Sequence, residues 1–404
     1  MSTPTPALPR RRLLILLLTA LVAIGPVSTD MYLPALPDIS DALGVTPAGA
    51  QATLSMFLLS FAFAQLVIGP LSDRFGRRPI LVGGLVVYVV ASMLAALSVS
   101  IEGLVAARFV QAAGACAGGV LARTIVRDLF DRNEAAHTLA TLGLIMATAP
   151  VVAPLLGGYV VVWAGWAGVF WVMAGAGALL FLAAFRLLPE TNAFKNPLAL
   201  QIGPMIANYR TLLRSGPYMG YLLVNAFVFG GMFAYISGAS FILIDGYGIA
   251  TDRFGYYFAI PVFGYMAGNA LTRRLVGKWG TERLILGGTL FAMVSGWGAL
   301  GLVVAGLDGP LSLVLVVAVY LVGLGLVLPN SMAGALQPYP EKAGAASALL
   351  GFTHMMFAAL AGFAVGLLHD GTPLPTTIII AVMATMALGS FLVLLYPEIR
   401  KQRQ

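Results

Sequence analysis

Runs of about 20 consecutive apolar residues recur from Leu13 to Tyr396, and this repetition constrains the fold more tightly than any motif. A helix rises ~1.5 Å per residue, so about 20 residues cross the ~30 Å hydrocarbon core of a bilayer. Reading apolar runs between charged or turn-rich breaks predicts spans near 13–34, 50–70, 80–98, 103–124, 137–159 and 166–187, then 217–240, 253–272, 284–305, 310–330, 345–368 and 374–396. Strands are excluded as the spanning element, because the runs are about twice the length a barrel strand needs and lack apolar–polar alternation. Only 10% of the 404 residues are charged, against ~25% in soluble domains. Lipid must therefore be the solvent for most of the surface.

The connectors between these spans are asymmetric in charge. Of the 23 lysines and arginines, all but Arg108 and Arg253 fall on one side of the predicted spans. By the positive-inside rule that side is cytoplasmic, which predicts an even number of spans with both termini inside. Arg10, Arg11 and Arg12 followed by Leu13–Ile24 imitate a signal peptide, but the small-residue cleavage pattern is weak and eleven spans follow, so the segment reads as a retained first helix. The same distribution accounts for the net charge of +7 without nucleic acid, since the basic residues scatter through short connectors and form no aromatic-interleaved patch. The single cysteine, Cys116, excludes an internal disulfide framework and a cysteine-based metal cluster. Set among small residues, it fits a packed helix interface.

The chain repeats itself at an offset of 204. Leu71–Gly84 reads LSDRFGRRPILVGG and Leu275–Gly288 reads LVGKWGTERLILGG. Both follow the second span of a six-span half, and they share a base (Arg74, Lys278), an aromatic (Phe75, Trp279), the glycines Gly76 and Gly280, and the closing Gly-Gly. Duplication predicts an all-α membrane protein of two pseudo-symmetric halves: 1–187, a cytoplasmic linker 188–216, and 217–404. Parallel six-helix repeats are one of the architectures of alternating access, with the substrate site between halves near mid-membrane.

Four segments carry a resemblance. GPLSDRFGRRP (Gly69–Pro79), RFVQAAGACAGG (Arg108–Gly119), STDMYLPALP (Ser28–Pro37) and APVVAPLLGGYV (Ala149–Val160) together resemble the major facilitator superfamily, specifically its drug:proton antiporters of the bicyclomycin-resistance (Bcr/CflA) type. The resemblance covers the whole chain and implies a monomeric multidrug exporter of the bacterial inner membrane. For the first segment it implies a cytoplasmic gate in which Asp73 and Arg77 pair with Asp128, with Arg74 and Arg78 alongside and Gly76 in the tight turn. In the second half Gly277 replaces Asp73, so such a gate is asymmetric. For the fourth it implies the antiporter motif, with Pro150 and Pro154 bending the helix and Gly157 and Gly158 admitting a neighbour. Ala149 and Ala153 stand where the broader motif prefers glycine.

Two charges matter most. An intramembrane arginine such as Arg108 needs a partner or a wet cavity; the alternative to a functional role is a structural arginine bonded to backbone carbonyls. Asp30 lies ~27 Å along the first helix and Arg108 ~8 Å along the fourth from the opposite end, so the two reach similar depth. A carboxyl in a partly dry site beside a cation can change protonation with water access or ligand, which makes Asp30 and Arg108 the expected proton-coupling pair. The alternative for Asp30 is that it caps the end of helix 1, in contact with outside water. The substrate is expected to meet Tyr32, Gln111, Met146, Asn225, Phe229, Phe233 and Tyr257, with Asn225, Phe229 and Phe233 at i, i+4 and i+8 on one helix. His354 is either a proton shuttle or an interhelical donor.

No GxxxxGK[ST] loop, no histidine pair at metal spacing and no soluble domain for a cofactor is present in the sequence. The expected driving force is an ion gradient, the expected partners are protons, small drug-like molecules and the bilayer, and no enzyme, metal or cofactor is expected. Uptake of a metabolite by symport or uniport is the alternative on the same scaffold.

Overall fold

The computed structural model describes residues 8–193 and 195–402; Arg403, counted above among the basic residues, lies outside the described residues. The helices are α1 (Leu8–Asp30), α2 (Leu36–Leu43), α3 (Pro47–Phe75), α4 (Arg77–Ala96), α5 (Ile101–Leu129), α6 (Arg132–Leu187), α7 (Ile202–Leu213), α8 (Gly216–Ser240), α9 (Phe254–Trp279), α10 (Thr281–Val304), α11 (Pro310–Leu336), α12 (Ala343–Leu367), α13 (Leu374–Ser390) and α14 (Tyr396–Gln402). Their starts are readable as caps. The side chains of Thr46, Ser100, Asp131 and Ser215 accept from backbone N–H groups of the first turns of α3, α5, α6 and α8.

Among the described residues, ten helical stretches are long and apolar enough to cross a membrane. One is α6, whose 56 residues hold two crossings because the backbone turns at Gly165 (φ 67°, ψ 180°). Pro150 and Pro154 lie inside α6, upstream of that turn. A twelfth crossing is α9, whose 26 residues are long enough but carry Asn269, Arg273, Arg274 and Lys278. The apolar side chains that face outward confirm the solvent, with Leu179, Val294 and Val393 each about seven-tenths exposed, at 70%, 72% and 71%.

The packing repeats. In the first half α1 packs on α5 and α6, α3 on α5, and α4 on α5 and α6; in the second, α8 packs on α11, α12 and α13, α9 on α11, and α10 on α11 and α13. The tight turns repeat too, at Gly76 (φ 111°) between α3 and α4 and at Gly280 (φ 79°) between α9 and α10. Both glycines hold a conformation that a Cβ would strain. Gly84 meets Gly114 where α4 crosses α5, and Gly288 meets Gly323 where α10 crosses α11. The halves meet reciprocally, α3 against α12 and α6 against α9.

Two features were not expected. Helix 1 does not reach residue 34: α1 ends at Asp30, and the chain passes through a 3₁₀ turn, Leu33–Ala35, into α2. Pro34 and Pro37 lack the N–H groups a continuous helix needs. The connector after α6 contains α7, whose Leu212 is buried in a cluster with Tyr218 and Ala346 at the end of the molecule bearing the basic loops.

Candidate functional site

Arg108 is completely buried on α5. Its guanidinium lies 4.2 Å from the ring centre of Phe57, 4.5 Å from that of Tyr32 and 5.7 Å from that of Phe170, an aromatic cage drawn from α3, the α1–α2 turn and the second arm of α6. Nη1 donates to Gln111 Oε1 at 2.6 Å, one helical turn away, and Nη2 donates to the Ser28 carbonyl at 3.0 Å. Nε has no hydrogen-bond partner. Gln111 Nε2 passes the network to Ser92 Oγ on α4 at 2.7 Å, and Ser28 Oγ bonds the Tyr88 hydroxyl at 2.7 Å. The phenol of Tyr32 closes the cage by bonding Thr53 Oγ1 at 2.5 Å. Arg108 and its network thus tie together α1, α3, α4, α5 and the second arm of α6.

Asp30 is the last residue of α1 and only 5% exposed. Thr29 Oγ1 donates to its Oδ1 at 2.9 Å. Among the described residues, no ion pair joins Asp30 to Arg108, although the sequence places them at one depth. The reason is the helix break. With no following turn to bond it, the Ser28 carbonyl is free, and the guanidinium takes that acceptor and three ring faces instead. Asp30 does end helix 1, as the alternative reading has it, but it is buried rather than bathed in water.

The remaining residues proposed to meet substrate divide in two. Tyr32 and Gln111 belong to the Arg108 cage and are fully buried. Asn225 donates to Ser331 Oγ at 2.8 Å across α8 and α11, while its own Oδ1 is buried without a partner. Phe233 is buried, whereas Phe229, Tyr257 and Met146 are half-buried. The Phe229 ring sits 5.0 Å from Phe233 and 4.4 Å from His354.

At the basic end Arg77 is bracketed by carboxylates. Its Nη1 bonds Asp73 Oδ1 at 2.5 Å and Ser72 Oγ at 2.6 Å, and its Nε bonds Asp128 Oδ2 at 3.2 Å. Glu190 joins this cluster without having been singled out by sequence. Its carboxylate accepts from the Arg77 N–H at 2.8 Å and the Arg78 N–H at 3.3 Å, capping α4 where the helix dipole favours an anion. A Cβ on Gly76 would lie 2.9 Å from Glu190 Cδ, a contact the flexible carboxylate side chain can relieve by shifting, so it is the φ of 111° that calls for glycine here. Thr191 Oγ1 bonds Asp128 and Asn192 Nδ2 bonds the carbonyls of Ser72 and Asp73. Arg74 covers Phe75, and Arg78 covers Phe185 while donating to its carbonyl. The whole cluster lies within α3–α6 and the residues that follow; it fixes the start of the linker rather than bridging the halves.

At the opposite end the glycines of α6 meet backbone. Gly157 faces the Met31 carbonyl carbon at 2.9 Å from where its Cβ would be, and Gly158 faces the Thr251 carbonyl at 2.5 Å. Ser240 Oγ on α8 donates to the Leu33 carbonyl at 2.6 Å, so the halves touch here around the α1 break.

Residues 16–363 match the family description Major Facilitator Superfamily. An uncharacterized MFS-type transporter of Bacillus subtilis is 34% identical over 94% of this chain and 95% of its own length. A bicyclomycin resistance protein homolog of Haemophilus influenzae is 32% identical over 89% and 90%, and a chloramphenicol resistance protein of Pseudomonas aeruginosa is 32% identical over 93% and 89%. The crystal structure of a D-xylose-proton symporter superposes with a TM-score of 0.75 at 12% identity, covering 96% of this chain and 97% of that one, a likeness of fold alone.

The cage gives a direct expectation for Arg108→Lys. An ammonium keeps the charge but cannot stack its plane on rings while donating to both Gln111 and Ser28. The substitution should destabilise the purified protein by about 3 kcal/mol, comparable with breaking a buried pair, seen as a clear fall in thermal unfolding midpoint. An unchanged midpoint would show that the cage holds nothing together.

Proposed function

Because the chain belongs to the major facilitator superfamily, we propose that it is a proton-coupled exporter of small amphipathic drug-like molecules of the bicyclomycin and chloramphenicol class, working as a monomer by alternating access. Support for the substrate class comes from the bicyclomycin-resistance and chloramphenicol-resistance relatives. The observation that carries the coupling is Asp30: a buried carboxyl at a helix break, hydrogen-bonded to Thr29 and paired with no cation. With no fixed counter-charge, its protonation responds to the water and ligand that each state admits. Arg108 acts through position, by holding the end of α1 that carries Asp30.

The basic end is assigned to the cytoplasm of a bacterial inner membrane, with both termini there, on the distribution of lysine and arginine. Single cysteines introduced in a Cys116→Ser background test this with an impermeant maleimide. Label should reach a cysteine at Asp308 from outside and one at Arg77 only after permeabilisation; the reverse pattern inverts the orientation.

The Asp73–Arg77–Asp128 cluster is assigned the role of a gate, acting through the linker start that Glu190, Thr191 and Asn192 bind to it. The pairs sit at the end of the molecule with Arg77 half-buried and its carboxylate partners partly exposed, where ion pairs contribute about 1 kcal/mol each, so Arg77→Ala should lower the thermal midpoint only modestly. It should instead shift the spin-label distance distribution across the basic end, and unchanged populations there would remove the gate.

Coupling itself is tested by Asp30→Asn, which keeps size and hydrogen bonding and fixes the charge at zero. Drug-evoked proton flux in energised vesicles should vanish, while binding or passive exchange of a neutral drug remains measurable. Full proton flux in the variant would move the proton site elsewhere.

A further inference from the structure

We propose that Arg123 and His354 form a subsite for a negatively charged oxygen on the transported molecule, with Met146 and Phe229 as its apolar walls. The proposal rests on the exporter reading and adds amphipathic anions to the molecules that reading covers. The four residues come from α5, α12, α6 and α8, so a ligand held there touches both halves.

Arg123 differs from Arg108 in every respect that matters to a ligand. It is exposed where Arg108 is sealed. Its Nη2 contact is with the sulfur of Met146, at 3.1 Å, and a thioether is a weak acceptor. Among the described residues no carboxylate lies within ion-pair distance of it. Its direction is also informative. Arg123 stands six residues from the end of α5 and Met146 fourteen residues into α6, or ~9 Å and ~21 Å from the basic end by helical rise. The side chain therefore turns inward, whereas arginines near a membrane face ordinarily extend toward the nearer water. A guanidinium at this depth with no anion partner is costly unless it faces a wet cavity or a ligand.

His354 supplies the second donor. It lies ~16 Å into α12 by helical rise, close enough that the Arg123 charge bears on it, and its ring is 4.4 Å from that of Phe229. Among the described residues its ring nitrogens have no hydrogen-bond partner in the protein, although the residue is only half-buried. A guanidinium fork matches a carboxylate or sulfonate in two parallel hydrogen bonds, and an imidazole N–H can take a further lone pair. Phe229 and Met146 then accept the apolar body. A cationic substrate would meet repulsion from Arg123 at the same place.

The test uses full-length protein in nanodiscs and three probes sharing one ring system: naphthoate, naphthamide and naphthylmethylammonium. By equilibrium dialysis, naphthoate should bind about tenfold more tightly than naphthamide, the scale of a charge-assisted hydrogen bond, and naphthylmethylammonium should bind least. Arg123→Gln should erase that ratio, naphthoate affinity falling to that of naphthamide; Arg123→Lys should keep the preference, and His354→Gln should reduce it in part. The proposal is overturned if the ratio survives in Arg123→Gln, if Arg123→Lys loses it as completely as Arg123→Gln, or if naphthylmethylammonium binds as tightly as naphthoate. Naphthamide counterflow in proteoliposomes separates the two levels. Counterflow without anion preference removes the subsite and leaves the exporter; absence of binding and counterflow for all three probes removes both.

Discussion

In hydrocarbon a helix that ends has no water to complete its last carbonyls, and the break in α1 at Asp30 is where this constraint falls hardest. The protein answers it with side chains from other helices. Arg108 donates to the Ser28 carbonyl from within the first half, and Ser240 donates to the Leu33 carbonyl from the second. The break thus stays open as a stable feature, and the contact between halves at this end is built on it. Gly157 and Gly158 complete the arrangement because the backbone around Met31 and Thr251 comes too close for any side chain there. Asp30 takes its burial and its lack of a counter-ion from the same geometry.

A cation with no anion normally has no place in such an interior. Arg108 is tolerated because three ring faces, one side-chain carbonyl and one backbone carbonyl replace its hydration. Each component is modest, since a cation–π contact contributes ~0.5–2 kcal/mol. Together they make the guanidinium the centre of the first half. A lysine, a glutamine or a smaller aromatic at any of these places would leave part of that charge or one of those carbonyls uncovered.

Much of this was legible in the sequence, for definite reasons. Apolar runs report spans because lipid tolerates little else, and Arg108–Gln111 reads as a pair because residues three apart share a helix face. The Gly76 turn and the Asp73, Arg77 and Asp128 charges were likewise visible. The cage partners were not: Phe57 and Phe170 look like any lipid-facing phenylalanine until the fold brings them from other helices. Glu190 was missed because it lies in a connector, where an acidic residue ordinarily signals only solvent. The matched depth of Asp30 and Arg108 suggested an ion pair, but depth fixes one coordinate of three, and the free Ser28 carbonyl could be inferred only once the end of α1 was known. Arg123 was counted as a loop charge because its Cα lies near the basic end; the inward course of its side chain is a property of packing.

The two halves share a packing plan but not a chemistry. Where Arg108 on α5 reaches a carbonyl of α1, Tyr320 on α11 reaches the Val228 carbonyl of α8 at 3.0 Å, so a neutral phenol does in the second half what a guanidinium does in the first. The other polar contacts along α11 are neutral as well, Asn330 bonding the Leu326 carbonyl and Ser331 receiving Asn225. A neutral hydrogen bond holds helices together without needing a cage, and it frees the surrounding aromatics to face the other half. Phe229, half-buried, packs on Phe233 of its own helix and on His354 of α12. Duplication therefore supplied the frame twice, and divergence left intramembrane arginine and carboxylate on one side of the interface and aromatic surface on the other. An amphipathic molecule held at the interface between them would find charge on one wall and rings on the opposite one.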